Sequence, residues 1–271
     1  MNVTLLQPNL HWENPTANRA ALEEQIFALP QATDLIVLPE MFTTGFTMNA
    51  AAVAEPMNLT TFRWLKQMAA HTNAAVTGSY VVKEADRFYN RLVWMEPDGT
   101  FDTYDKRHLF RMAGEEQTYT AGTKRLIRHW RGWNICPLIC YDLRFPVWSM
   151  AAGHAHPGFS SNAEEPAYDL LLYVANWPAP RRHAWNTLLQ ARAIENLSYV
   201  VGVNRVGEDG NGNPYSGDSA VVDFKGEVLF RADENEAVYQ TELSLDDLRA
   251  FRERFPAYRD ADGFTIDNSS I

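Results

Sequence analysis

The chain has 271 residues, 46% hydrophobic and 21% charged, a balance typical of a globular protein and not of a disordered or fibrous one. The 24 Lys and Arg are outnumbered by 34 Asp and Glu, a formal charge of −10, which argues against nucleic-acid binding. Apolar stretches are far shorter than the roughly 20 residues of a membrane span, and two cysteines without an N-terminal signal peptide indicate a reducing, cytoplasmic location.

The first half of the chain alternates predicted strands and helices. A β-branched segment predicts a strand at 1–7, and apolar residues at helical spacing predict a helix at 18–29, which Pro30 ends. The apolar run at 34–38 predicts a short strand buried on both faces. Next come a helix at 60–72, a strand at 74–82, and a hairpin of strands 90–95 and 101–104 around Pro97-Asp98-Gly99.

The second half continues the alternation without a linker rich in Pro, Gly or Ser. We predict strands at 133–140, 170–174, 199–204, 219–223 and 228–231, the last two forming a hairpin, and helices at 182–196 and 243–251. The small, polar segment 151–168 predicts a long surface loop. These elements indicate a single α/β domain over 1–271, with helices covering a large mixed sheet.

Three predicted strands end in side chains that can do chemistry. Glu40 follows the strand at 34–38, in LPEMF, where a carboxylate is costly unless it is paired or solvated. Lys106 lies in YDKRHLF, where it shares one side of an extended segment with His108 or belongs to a solvated charge run. Cys140 ends a strand in ICYDLRFP, whereas Cys136, four residues earlier, is the better candidate for a core cysteine.

Together these residues supply the parts of a nucleophilic site. A thiol is mostly neutral at pH 7, but a nearby ammonium favours the thiolate and a carboxylate can accept its proton. Glu40, Lys106 and Cys140 would therefore provide a base, a cation and a nucleophile. The backbone N–H of Tyr141, next to the nucleophile, would bind a developing oxyanion beside the Lys106 ammonium.

The same segments resemble the motifs of the carbon–nitrogen hydrolase (nitrilase-like) superfamily. The resemblance rests on LPEMF, YDKRHLF and ICYDLRFP, in this order, and continues through ANWP (175–178), RAIEN (192–196) and YSGDS (215–219). It extends over almost the whole chain, from residue 3 to about residue 231.

Membership would imply an α-β-β-α sandwich and a site that needs no metal or organic cofactor. It implies Glu40 as general base, Cys140 as nucleophile and Lys106 as the stabiliser of the tetrahedral intermediate. It also implies a second glutamate after Lys106, for which Glu115 is favoured over its neighbour Glu116. A homodimer or higher homo-oligomer is expected as well, and RAIEN contributes either to that interface or to the core.

Two segments, PEMFTTGFTM (39–48) and CYDLRFPVW (140–148), are most similar to the omega-amidase branch. The resemblance implies hydrolysis of the side-chain amide of a small 2-oxo acid, such as 2-oxoglutaramate or 2-oxosuccinamate, through a thioester. The stretch 149–168 is longer than that branch leads us to expect. A nitrilase or an N-carbamoyl amino acid amidohydrolase is the alternative chemistry.

A substrate of this class carries a carboxylate that needs a cationic or hydrogen-bonding partner. Arg144 either takes that role or pairs with a nearby carboxylate, Asp142 or Glu40. Four aromatic residues either line a small pocket or pack in the core: Phe42, Phe46, Tyr141 and Trp177.

Two other readings of the sequence remain. A Cys–His dyad using His108 or His183 would make a histidine indispensable, whereas the Glu–Lys–Cys arrangement makes Lys106 indispensable. A non-catalytic acidic binding protein would have an ordinary, slowly reacting thiol.

Overall fold

The computed structural model describes residues 1–151 and 165–266. The predicted loop at 151–168 therefore lies mostly outside the described residues. The strands are β1 (Asn2–Gln7), β2 (Leu35–Val37), β3 (Glu55–Pro56), β4 (Ala75–Glu84), β5 (Arg87–Met95), β6 (Phe101–Asp105), β7 (Arg128–Trp130), β8 (Trp133–Ile139), β9 (Leu170–Val174), β10 (Tyr199–Val203), β11 (Val206–Glu208), β12 (Pro214–Ser216), β13 (Ala220–Val222), β14 (Val228–Arg231) and β15 (Ala237–Glu242). The α-helices are α1 (Pro15–Phe27), α2 (Ala50–Val53), α3 (Thr60–Thr72), α4 (Glu115–Thr118), α5 (Pro146–Ser149), α6 (Arg182–Asn196) and α7 (Leu245–Arg254). Short 3₁₀ turns span Arg111–Ala113, Cys140–Arg144, Ala179–Arg181 and Ala257–Asp260.

Two mixed sheets form the centre of the described structure. The first has the order β15-β1-β2-β4-β5-β6, with β3 added beside β4, and the second has the order β14-β13-β10-β9-β8-β7. β11 and β12 make a separate two-stranded ribbon. Both predicted hairpins are confirmed, because β5 pairs antiparallel with β6 and β13 with β14.

The layers follow the predicted α-β-β-α order. Side chains such as Ile36 on one face of the first sheet pack with Leu65 and Met68 of α3. On its other face, Leu35 and Trp94 share a core with the second sheet, which is covered in turn by α6 and α7. The expectation of one large mixed sheet is therefore wrong, because strands that are apolar on both faces are covered by helices on one side and by a second sheet on the other.

The catalytic candidates lie at strand ends that share one edge of each sheet. β2 and β4 run parallel, and two antiparallel steps through β5 bring β6 into the same direction. β8 and β9 are parallel neighbours in the second sheet. Residues that follow β2 and β6 consequently lie at one edge of the first sheet, and residues that follow β8 and β9 lie at one edge of the second. No helix in the described ranges is long and apolar enough to cross a membrane.

Candidate active site

Lys106 lies between two buried carboxylates. Its Nζ is 2.8 Å from Oε1 of Glu40 and 2.9 Å from Oε2 of Glu115, and all three side chains are at most 1% exposed. The Nδ2 of Asn90 also donates to Glu40 Oε1 at 2.8 Å. The structure thus brings Glu115, and not Glu116, against Lys106, and pairing offsets the cost of burying these charges.

Hydrogen bonds also connect Glu40 to the second sheet. The backbone N–H of Asn176, just after β9, donates to Glu40 Oε2 at 2.8 Å. The side-chain amide of Asn176 donates to the Glu40 carbonyl, and the carbonyl of Asn176 lies 3.9 Å from Cys140 Sγ. Asn176 therefore links the carboxylate of one sheet to the thiol of the other.

Cys140 begins the turn after β8 with a left-handed backbone, φ +44°. This conformation is strained for a residue with a side chain, and it ends the strand at Ile139, one residue before the predicted end. Asp142 holds the turn, since its carboxylate accepts from Ile139 N at 3.0 Å and from the Tyr104 hydroxyl at 2.6 Å. It also accepts from the backbone N–H of His108 at 3.0 Å.

The surroundings hold Cys140 in its neutral form. Burial raises the pKa of the thiol well above its ordinary value, and the charge of Glu40 raises it further against the opposing effect of Lys106. Burial alone would lower the pKa of Lys106, but Glu115 and Glu40 outweigh it and keep this side chain an ammonium. Burial, with Glu40 nearby, raises the pKa of Glu115. For Cys140 to act as a nucleophile, a base would therefore have to remove its proton.

The two candidate histidines lie away from the cavity wall. The His108 Nδ1 is 2.8 Å from Asp142 Oδ1, and its ring stacks on Phe145 at 3.8 Å between centroids. The expectation that His108 shares a side with Lys106 is therefore wrong, because the chain leaves the extended conformation after β6. His183 is exposed at the start of α6. Neither histidine lines the cavity that Cys140 faces.

That cavity has a volume of about 510 Å³. Cys140 and Lys106 form part of its wall, and Tyr141, Arg144 and Trp177 line it as predicted. The apolar part of the wall is formed by Trp12, Phe46, Met48, Phe110, Met112, Tyr141, Trp177, Pro178 and Tyr215. In the described part of the chain, no cluster of three or more His, Cys, Asp or Glu side chains is arranged to hold a metal ion.

One predicted pocket residue needs correction. Phe42 is fully buried and does not line the cavity. Its ring packs instead against Trp64 and Tyr80, at centroid distances of 5.7 and 6.4 Å, in the core between the first sheet and its helices. The turn after Glu40 directs Phe42 into that core, and Phe46, four residues later, lines the cavity instead.

Arg144 is exposed to the cavity and lies over the Trp177 ring, with its guanidinium carbon 5.0 Å from the ring centroid. It forms no ion pair with a carboxylate in residues 1–151 or 165–266, so the alternative pairing with Asp142 or Glu40 is not observed. Sequence reasoning missed three further residues of the site, Asn90, Asn176 and Arg181. Asn176 had a signal, because it lies in the ANWP segment.

Comparisons with known proteins were made on sequence and on fold. A family model described as carbon-nitrogen hydrolase matches residues 2–253. The chain is 48% identical over 267 residues to omega-amidase YafV of Yersinia enterocolitica, covering 98% of both proteins. It is 31% identical to 2-oxoglutaramate amidase of Bacillus subtilis (strain 168), covering 95% of this chain and 96% of that protein.

Among solved structures, XC1258 of Xanthomonas campestris superposes with a TM-score of 0.93 and 44% sequence identity. The match covers 98% of this chain and 99% of that one. XC1258 is described as a CN-hydrolase superfamily protein with an arsenic adduct in its active site. The similarity thus extends over both sheets and the strand ends that carry the buried charges.

Proposed function

The chain belongs to the carbon-nitrogen hydrolase family, and from that premise we propose that it is an omega-amidase acting on a small 2-oxo acid amide, such as 2-oxoglutaramate or 2-oxosuccinamate. Relatives named omega-amidase and 2-oxoglutaramate amidase support this substrate class. The observation that carries the proposal is the buried contact of Lys106 with Glu40 and Glu115, on a cavity wall that also contains Cys140.

The first half of the reaction forms a thioester. Glu40 takes the proton from Cys140 as the sulfur attacks the amide carbon, and the electron pair of the C=O bond moves onto oxygen. The Lys106 ammonium and the Tyr141 N–H stabilise this oxyanion. Glu40 then gives the proton to the amide nitrogen, the C–N bond breaks, and ammonia leaves.

The second half consumes one water. Glu40, or Glu115 as the alternative base, takes a proton from water, and the oxygen attacks the thioester carbon. When the tetrahedral intermediate collapses, the C–S bond breaks, the sulfur recovers a proton and the carboxylic acid leaves. Glu115 also supports both halves through Lys106, because its 2.9 Å contact helps to keep that amine charged.

The acid end of the substrate requires a cation at the cavity, and Arg144 suits this role. Its guanidinium is exposed to the cavity, without a carboxylate partner in the described residues, and it is oriented by the face of Trp177. Trp177 is itself fixed by a 2.8 Å bond from its backbone N–H to Asn204 Oδ1. A charged hydrogen bond to the substrate carboxylate would position the amide over Cys140.

The proposal is tested by ammonia release from 2-oxoglutaramate, 2-oxosuccinamate, glutamine, an N-carbamoyl amino acid and a simple nitrile. We expect the two 2-oxo acid amides to be the preferred substrates, and Cys140→Ala to lose all turnover because no nucleophile remains. Cys136→Ala is the matched control, since Cys136 is buried in the core and does not line the cavity. Preference for the nitrile or the carbamoyl compound, or turnover without Cys140, would overturn the proposal.

A further inference from the structure

Four charged side chains besides Lys106 line the cavity, and they differ in how they are partnered. Asp209 accepts hydrogen bonds from Asn211, Asn213 and Tyr215. Glu13 accepts from Thr47 and Asn49. The two guanidiniums, of Arg144 and Arg181, form no ion pair with any carboxylate in the described ranges. The two carboxylates are thus held by hydrogen bonds within the wall, whereas the two guanidiniums keep donors available for a ligand.

The guanidinium of Arg181 contacts only weak hydrogen-bond acceptors, which leave most of its N–H donors available. Its backbone carbonyl accepts from Trp177 Nε1 at 2.8 Å, which fixes the end of the 3₁₀ turn Ala179–Arg181. Its guanidinium lies over the Phe110 ring at 5.3 Å, and Nη2 is 3.2 Å from the Met112 sulfur. A thioether is a weak acceptor and a ring face accepts only weakly, so the five N–H donors lack a strong partner.

Arg144 and Arg181 both contact Trp177, the first through its guanidinium and the second through its backbone. Arg144 lies over the face of Trp177, and Arg181 receives the indole N–H on its carbonyl. A 2-oxo acid presents two carboxylate oxygens and an adjacent oxo oxygen at one end, more acceptors than one guanidinium fork engages. Two planar forks on one cavity wall, that of Arg144 over Trp177 and that of Arg181 over Phe110, match that set of acceptors.

We propose that Arg181 is a specificity-determining residue that binds the oxo-acid end of the substrate together with Arg144. This inference rests on the proposed function, because it assumes an anionic amide in the cavity. The two guanidiniums offer donors to the carboxylate and the oxo oxygen, and beside them the ammonium of an amino acid amide would be repelled. Arg181 thus favours 2-oxo acid amides over glutamine and over neutral amides.

The test compares wild type with Arg181→Met on 2-oxoglutaramate and on pentanamide, which has the same carbon chain and amide but neither the acid nor the oxo group. We expect the KM for 2-oxoglutaramate to rise about ten- to a hundredfold, with kcat nearly unchanged, because the contact is made equally in the ground and transition states. Kinetics on pentanamide should not change. Arg181→Lys should recover part of the loss, since it restores the charge without the fork.

Arg111→Met is the matched control, because Arg111 is exposed beside Met112 and does not line the cavity. Arg111→Met should leave the KM and kcat for both substrates unchanged. It therefore measures the effect of losing a positive charge from the surface. Binding of 2-oxoglutarate, the acid product, to Cys140→Ala provides a readout without turnover, and Arg181→Met in that background should weaken it by a similar factor.

The outcomes separate the two proposals. If the wild type does not hydrolyse 2-oxoglutaramate, the proposed function fails, whatever Arg181 does. If the wild type hydrolyses it but Arg181→Met impairs pentanamide equally, Arg181 supports only the cavity wall around Phe110 and Met112. No change on 2-oxoglutaramate would likewise overturn the inference about Arg181.

Discussion

At the scale of single residues, the neighbours of Cys140 set the protonation state of its thiol. Burial and the charge of Glu40 both raise its pKa, and Lys106 only partly opposes them. A site with a preformed thiolate would have the opposite balance, with cations outweighing carboxylates. In the proposed mechanism Glu40 therefore removes the proton at the moment of attack, and the resting site does not hold a thiolate.

The sign of this effect can be tested by titrating the thiol. Removing the negative charge in Glu40→Gln takes away one cause that raises the pKa of Cys140, so the pKa should fall. Turnover should fall too, by about 10²- to 10⁴-fold, because the general base is lost. The thiolate is measured by its ultraviolet absorbance against pH, as the difference from Cys140→Ser.

In the wild type we expect no thiolate signal below about pH 8.5, the ordinary thiol pKa. Cys136 does not interfere, because burial raises its pKa to about 11 and it is present in both proteins of each pair. A wild-type thiolate at neutral pH, or a signal that moves to higher pH in Glu40→Gln, would contradict this account.

From the sequence, only the site residues that lie in recognisable local motifs could be predicted. Glu40, Lys106 and Cys140 each follow a strand with a recognisable neighbourhood, so their types and order indicated the chemistry. Arg181 contacts Met112 across 69 residues of chain, and no local pattern predicts that contact. The prediction that Phe42 lines the pocket was wrong for a similar reason. The direction of one side chain in a turn depends on which part of the core it packs against.

At the scale of elements, the 3₁₀ turn Cys140–Arg144 connects Cys140 to the side chains that hold its backbone in place. Asp142 in this turn is fully buried and also receives the Tyr104 hydroxyl, which in turn accepts from Trp148 Nε1 at 3.0 Å. Arg192 of α6 donates to the Leu143 carbonyl at 2.7 Å. The strained backbone of Cys140 is thus held from β6, α5 and α6 together.

Asp142→Asn should weaken this support, because an amide cannot accept from every donor that the carboxylate serves. We expect the free energy of unfolding to fall by about 1–3 kcal/mol in urea titrations, together with slower turnover. Asp86→Asn, at the exposed turn between β4 and β5, is the control and should match the wild type. Unchanged stability and kinetics in Asp142→Asn would mean that the turn holds its shape without this carboxylate.

Elements with strong periodicity were predicted well. Helices Thr60–Thr72 and Arg182–Asn196 and strand Leu170–Val174 agree residue for residue. Strand Ala237–Glu242 was missed because it is half-exposed without regular alternation, and its partner, Asn2–Gln7, lies at the other end of the chain. Helix Pro15–Phe27 begins earlier than predicted, at an Asn14 cap followed by proline, a signal that the apolar spacing alone did not reveal.

At the scale of the whole molecule, the RAIEN segment (192–196) is expected to contribute to a homo-oligomer interface or to the core. Arg192 and Asn196 face inward, since both are 3% exposed and Asn196 Oδ1 accepts from Ala151 N at 2.8 Å. Ile194 is 53% exposed on the same helix. Ala193 is also buried in the core, so three residues of the segment face inward, and Ile194 offers an apolar side chain to solvent or to a second copy.

We predict that the wild type elutes as a homodimer or larger form, and that Ile194→Glu dissociates it because a carboxylate would be buried unpaired at the interface. Mass is measured by light scattering after size-exclusion chromatography. Lys83→Glu, an exposed charge change on the first sheet, should leave the assembly intact. A monomeric wild type, or an unaltered mass in Ile194→Glu, would show the prediction wrong.

The chemistry is divided between two layers of the sandwich. Glu40, Lys106 and Glu115 belong to one sheet and its loops, whereas Cys140 and Asn176 belong to the other. Neither half contains the full set of proposed catalytic residues by itself. If these residues act as proposed, a newly made chain gains activity only when the two sheets have packed together, and it loses activity when they separate.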